Sequence, residues 1–268
     1  MTESHETAGR QIFFLYPSAL IENQIVKELV HLDFEVYIVR DIEGFVTLLK
    51  KHPRPVILIN LDEGLREKEW QKQIQTITGD AEIVSPEIGV FTANGDNAAR
   101  GFYQKKLGLR CGYITINSDC VVPVKQLLET FKTLDVKGGR KYLNLNVENE
   151  HITVNMPMYG GYINGIVRDL SVKGFSCTFE KAPLIQKNAL LQDLQIKLQG
   201  QLLKAEGIAL GVCREGNQRR HLIVFTQRIN PEVKTKIRLF IQQTLQEKLN
   251  AELALIVKEE RARLYMPV

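Results

Sequence analysis

Between Ile12 and Leu134 the sequence alternates short, solidly apolar runs of β-forming residues with helical segments, five times in succession. No other feature of the chain restricts its fold so sharply. Runs such as Val56, Ile57, Leu58, Ile59 are apolar at every position, which suits a strand whose sheet is covered on both faces. Parallel pairing through short right-handed crossovers then gives a doubly wound α/β sandwich. The spacing predicts strands over Ile12–Leu15, Glu35–Val39, Pro55–Ile59, Ile88–Thr92 and Gly112–Ile116, and helices over Glu22–Leu32, Ile42–Lys50, Glu67–Ile77, Asp96–Leu107 and Val121–Leu134.

Past the Gly138, Gly139 pair the rhythm changes to a succession of β-type runs, His151–Met156, Gly161–Arg168, Gly174–Glu180, Leu194–Leu198, Leu202–Cys213 and Arg219–Gln227, with Gly, Asn and Pro in the turns. Period-two alternation, as in Ile152, Val154, Met156 against Thr153, Asn155, predicts a small antiparallel β-barrel with one wet face. After Pro231, Val233, Ile237, Phe240, Ile241, Leu245 and Leu249 recur three or four apart. That stripe predicts a C-terminal helix that either covers the barrel or extends into a contact between subunits. The organisation expected is a doubly wound domain over residues 11–136, a linker over 137–147, and a barrel with its helix over 148–268.

Charge separates the two parts. Residues 1 to 136 carry 15 Lys and Arg against 19 Asp and Glu, whereas the remainder carries 20 against 12. The C-terminal part is therefore the one to face an anion. No apolar run approaches the roughly 20 residues of a membrane span, and Met1 to Arg10 has no hydrophobic signal region, so a cytoplasmic protein is expected. Cys111, Cys120, Cys177 and Cys213 show no two-residue spacing and read as reduced thiols, most of them packed. The five histidines have no metal-ligand spacing, and Ser171 and Asp169 have no histidine nearby in sequence, so no catalytic or metal site is expected. Arg219, Arg220 and His221, without interleaved aromatics, read as a solvated hairpin tip and not as a nucleic-acid patch.

The five βα units over residues 11–136 resemble the receiver domain of two-component signalling. In that family acidic residues after the first strand hold magnesium, an aspartate ending the third strand takes the phosphoryl group, and a Thr or Ser and a Lys end the fourth and fifth. The matching places here hold Tyr16 and Pro17, Asn60, Thr92, and Ile116 and Asn117. Asn60 offers no anionic nucleophile, and without the acidic pair no hard cation is collected. The domain reads as a pseudo-receiver that presents faces to a partner, with Asp62 a solvated loop carboxylate in place of a phosphoryl acceptor.

The string Arg168, Asp169, Leu170, Ser171, Val172, Lys173, Gly174, between two β runs, resembles the signature loop of PilZ domains, bacterial modules that bind cyclic di-GMP. A pseudo-receiver followed by such a domain is similar to a set of spirochaete proteins. The resemblance implies a non-enzymatic signalling adaptor with no cofactor, no nucleic acid and a protein partner of the motility or exopolysaccharide kind. It implies that Arg140 contacts phosphate or stacks on guanine, that Asp169 and Ser171 read a guanine edge, and that Gly174 shapes the loop. The family's second linker arginine, four residues after the first, is Asn144 here, so Lys137, Lys141 or Arg168 is expected to supply the missing charge. One lost charge-assisted bond costs about 1.5–3 kcal/mol, which leaves as the alternative a degenerate member acting as a protein-interaction scaffold.

Overall fold

The computed structural model describes residues 10–136, 145–146, 152–181, 183–215 and 218–264. These form two compact units: residues 10–136 with 245–264, and the residues between 145 and 244.

The first unit is a five-stranded parallel sheet, β1 (Ile12–Leu15), β2 (Val36–Val39), β3 (Val56–Asn60), β4 (Glu87–Thr92) and β5 (Gly112–Thr115), in the order β2-β1-β3-β4-β5. This is the flavodoxin-like doubly wound order, with its topological switch between β1 and β3. Strand alternation sorts the apolar side chains onto two faces. Phe13, Leu15, Ile57, Ile59 and Val90 pack against α2 (Phe45–Leu49) and α3 (Glu67–Gly79). Ile12, Phe14, Val56, Leu58 and Phe91 pack against α1 (Lys27–His31), the π-helical turn Ile21–Val26 before it, and α5 (Val121–Thr133). Between β4 and β5, α4 (Asn97–Gly101) runs into a second π-helical stretch, Phe102–Lys106. Every strand and helix expected from the periodicity is present, with ends shifted by up to about three residues.

The C-terminal helix α6 (Pro231–Leu264) corrects one expectation. From Leu245 onward it belongs with the α/β unit and not with the barrel. Leu249 and Ile256 are buried in the same core as Phe13 and Trp70, with Leu245 and Leu253 packed at its border. Strand β2 is the sheet edge, and the helix caps it: Gln246 Oε1 accepts from Ile38 N–H at 2.8 Å while its Nε2 donates to the Ile38 carbonyl at 2.8 Å. Arg261 makes a two-pronged ion pair with Glu43, at 2.8 and 2.6 Å.

In the second unit, β7 (Thr153–Met158), β8 (Gly161–Ser171), β9 (Gly174–Phe179), β10 (Leu190–Leu198), β11 (Gln201–Glu215) and β12 (Gln218–Phe225) form a closed antiparallel barrel in the order β8-β7-β10-β11-β12-β9, with β9 pairing back to β8. The short β6 (Leu145–Asn146) adds to β8. Closure leaves none of these six strands as an edge among the described residues. Val154, Val167, Leu170, Phe175, Cys177, Leu194, Ile196 and Ile223 are among its fully buried side chains.

Candidate ligand-binding hairpin

The string Asp169 to Gly174 forms the β8–β9 hairpin, with Ser171 opposite Gly174. Ser171 is buried, and its hydroxyl bonds within the turn: Oγ donates to the Gly174 carbonyl at 2.9 Å and accepts from the backbone N–H groups of Lys173 and Gly174 at 3.3 and 3.1 Å. The hairpin is thus shaped by a serine that holds both arms of its own turn. Gly174 is required by proximity. A Cβ built there would lie 2.2 Å from the Ile223 carbonyl oxygen and 2.8 Å from Val224 Cα, so β12 runs against the turn more closely than any side chain permits.

A β-bulge between Val167 and Asp169 shifts the register, so that Asp169 faces Ser176. Ser176 Oγ donates to Asp169 Oδ2 at 2.8 Å and accepts from the Asp169 N–H at 3.2 Å. From β12, Arg220 Nε donates to Ser176 Oγ at 2.8 Å, and its Nη2 makes an ion pair with Asp169 Oδ2. Three adjacent strands therefore contribute an Asp169, Ser176, Arg220 cluster. Oδ2 is clamped, whereas Oδ1 has no partner among the described residues. Arg168, at the bulge, reaches Thr178 Oγ1 at 3.3 Å and Gln218 Oε1 at 3.4 Å.

Of the residues singled out by sequence, Arg168, Asp169, Ser171 and Gly174 are brought together on this hairpin. Lys137, Arg140, Lys141 and Asn144 lie outside the described residues. Sequence reading missed Ser176 and Arg220. The reading of Arg219, Arg220 and His221 as a solvated tip holds for Arg219, which is exposed, and is corrected for the other two, because Arg220 is tied to Asp169 and His221 is 2% exposed, edge-on to Phe179 with ring centroids 5.3 Å apart. Burial, with Arg219 beside it, lowers the pKa of His221 from its ordinary value.

In the α/β unit the places corresponding to receiver chemistry are closed by internal bonds. Asn60 Nδ2 donates to the Tyr16 carbonyl at 3.0 Å. Asp62 accepts from the Thr92 hydroxyl at 2.7 Å and from the Ala93 N–H at 2.6 Å, joining the loops that follow β3 and β4. Tyr16, at φ 49°, packs edge-on to Trp70 and lies where a Cβ on Gly64 would be 2.7 Å from its ring. Among the described residues no group of three or more His, Cys, Asp or Glu is placed to hold a metal ion. Cys111, Cys120 and Cys177 are buried free thiols, whereas Cys213 is exposed. No described helix is long and apolar enough to cross a membrane.

No protein-family model and no curated protein sequence matches the chain. Solved structures do. The complex of Escherichia coli YcgR with c-di-GMP is 12% identical over 44% of this chain, with a TM-score of 0.38, and the chain spans about half, 51%, of that protein. The PilZ domain of the same YcgR, also with c-di-GMP, is 16% identical over 42% of this chain and 98% of its own length, at TM-score 0.36. A response regulator from Burkholderia multivorans is 20% identical over 49% of this chain and 99% of its own, also at 0.36. The solved structures to which this chain is similar thus include a PilZ-domain protein and a response regulator.

Proposed function

We propose that the chain is a receptor for cyclic di-GMP that passes the binding event to a protein partner. The observation that carries this reading is the half-used carboxylate of Asp169. Its Oδ2 is fixed by Arg220 and Ser176, and its Oδ1 is left to accept from the N1 and N2 donors of a guanine edge. The cluster holds that acceptor rigid before a ligand arrives, and ordering that need not be done on binding strengthens affinity. Arg140 and Lys141 supply the phosphate contacts, and Arg168 adds charge beside the hairpin. Gly174 and Ser171 shape the turn without touching the ligand.

Calorimetric titration of cyclic di-GMP into the whole chain, with GMP as control, tests the proposal. Saturable binding at micromolar or better, weakened at least about tenfold by Asp169→Ala and by Arg140→Ala, is the expected result. Affinity unchanged in both variants, or no heat from the parent, overturns it.

A second reading is favoured by the Asp169–Arg220 ion pair together with Asn144. If the pair satisfies the carboxylate and the second arginine is missing, the barrel is a scaffold that no longer takes the nucleotide. Asn144→Arg separates the two: binding gained from an inert parent supports the scaffold, and binding already present in the parent supports the receptor.

A further inference from the structure

His221 is inaccessible, yet neither ring nitrogen has a hydrogen-bond partner among the described residues. Buried polar atoms are rarely left so, because an unmade bond carries the full cost of desolvation. The ring borders a cavity of about 260 Å³ whose walls include Pro183, Leu184 and Ile185, from the segment after β9, and Val212 from β11. Arg214 and Arg219 complete the lining. In the β11–β12 ladder these two arginines stand directly opposite one another, next to the Val212 and His221 pair on the same face. Two like charges across a ladder repel, and among the described residues neither guanidinium has an acidic partner. Leu184 is 93% exposed at the rim, an apolar surface that no described residue covers.

Each anomaly is relieved by the same kind of molecule. We propose that this cavity is a second ligand site on the barrel, taking a small organic anion with a phosphate or carboxylate head and an apolar body. The head sits between Arg214 and Arg219, whose forks match planar and tetrahedral oxyanions. His221 bonds the head from below. The body lies against Ile185, Val212 and Leu184. The lowered pKa of His221 keeps the ring neutral near pH 7, with one nitrogen to donate and one to accept. The site is distinct from the Asp169 hairpin, since Arg220 alternates with its two neighbours and turns to the opposite face of β12.

The probes are phenyl phosphate and benzoate, titrated into the whole, isotope-labelled chain while the ring resonances of its histidines are followed. Saturable shifts of His221 are expected, and the tighter of the two probes identifies the head group. Inorganic phosphate and phenol, each lacking half of the recognition, are expected to bind at least about tenfold more weakly. Arg214→Gln and Arg219→Gln, both at exposed positions, are each expected to weaken the better probe about tenfold with an unchanged melting temperature. The proposal is overturned by the absence of a saturable shift with either probe at ~10 mM, by unchanged affinity in both arginine variants, or by inorganic phosphate binding as tightly as phenyl phosphate.

Discussion

The side-chain amide of Gln246 makes the two hydrogen bonds to Ile38 that a neighbouring strand would make, donating to its carbonyl and accepting from its N–H, both at 2.8 Å. An edge strand ordinarily offers such groups to solvent or to another chain. Here one residue of a helix answers one residue of the edge.

Removal of that amide leaves two partly buried backbone groups without partners. Gln246→Ala is therefore expected to destabilise the chain by about 1–3 kcal/mol, read from the midpoint of urea denaturation. Gln246→Glu, which keeps an acceptor and loses the donor, should recover only part of this. A midpoint unmoved in the alanine variant would mean that water serves Ile38 equally well.

Gly174→Ala places a methyl group 2.2 Å from the Ile223 carbonyl oxygen. Backbone cannot swing aside as a flexible side chain can, so the β8–β9 hairpin and β12 must separate. Overpacking of this kind costs about 1–3 kcal/mol or more, seen as a fall in the melting temperature. A glycine needed only for ligand approach would show no such fall in the unliganded protein.

Asn60→Asp restores the residue type that a phosphoryl acceptor requires, yet it is not expected to create a phosphorylatable protein. Tyr16 and Pro17 still stand where a cation would need carboxylates, and the neighbouring Asp62 remains bonded to Thr92 and Ala93. Incubation of the variant with acetyl phosphate and magnesium, followed by intact-mass spectrometry, should show the unmodified mass. A stoichiometric phosphoryl adduct would refute the reading of this end of the sheet as inert.

His221 and His52 both have folded pKa values lowered chiefly by burial, from an ordinary value of 6.5. The unfolded chain then takes up protons before the folded one does, so stability declines as pH falls below about 6.5 and levels off beneath the folded values. Denaturation midpoints measured between pH 8 and pH 5 should show the decline setting in at about pH 7, where the unfolded histidines begin to take up protons. His52→Gln should reduce its size. A rise in stability over that window would contradict the burial of these rings.

The α/β half was legible element by element because its signal is local. An unbroken apolar run such as Val56 to Ile59 has one comfortable place, and β3 occupies it. The hairpin at Asp169 was legible for the same reason, since its turn residues are contiguous. Arg220 was not, because its role depends on the register that puts Arg220 opposite Thr178 and Leu222 opposite Ser176, a pairing between segments more than forty residues apart. The alternation of buried His221 and Ile223 with Arg220 and Leu222 was the available clue, though it says nothing about which strand lies alongside. The helix after Pro231 shows the same limit, for an apolar stripe declares that it will be covered without naming the cover.

Residues 245–264 complete a core whose other members precede Val136, and this orders events during synthesis. The sheet and its first five helices leave the ribosome with Phe13, Phe45 and Trp70 already made, but Leu249 and Ile256 arrive only after the entire barrel has been translated. Until then part of the apolar face and the edge at Ile38 stand open. The barrel, although encoded after the sheet, has all its strands available before the α/β half can close, and helical turns translated after the barrel finish the domain whose strands were made before it.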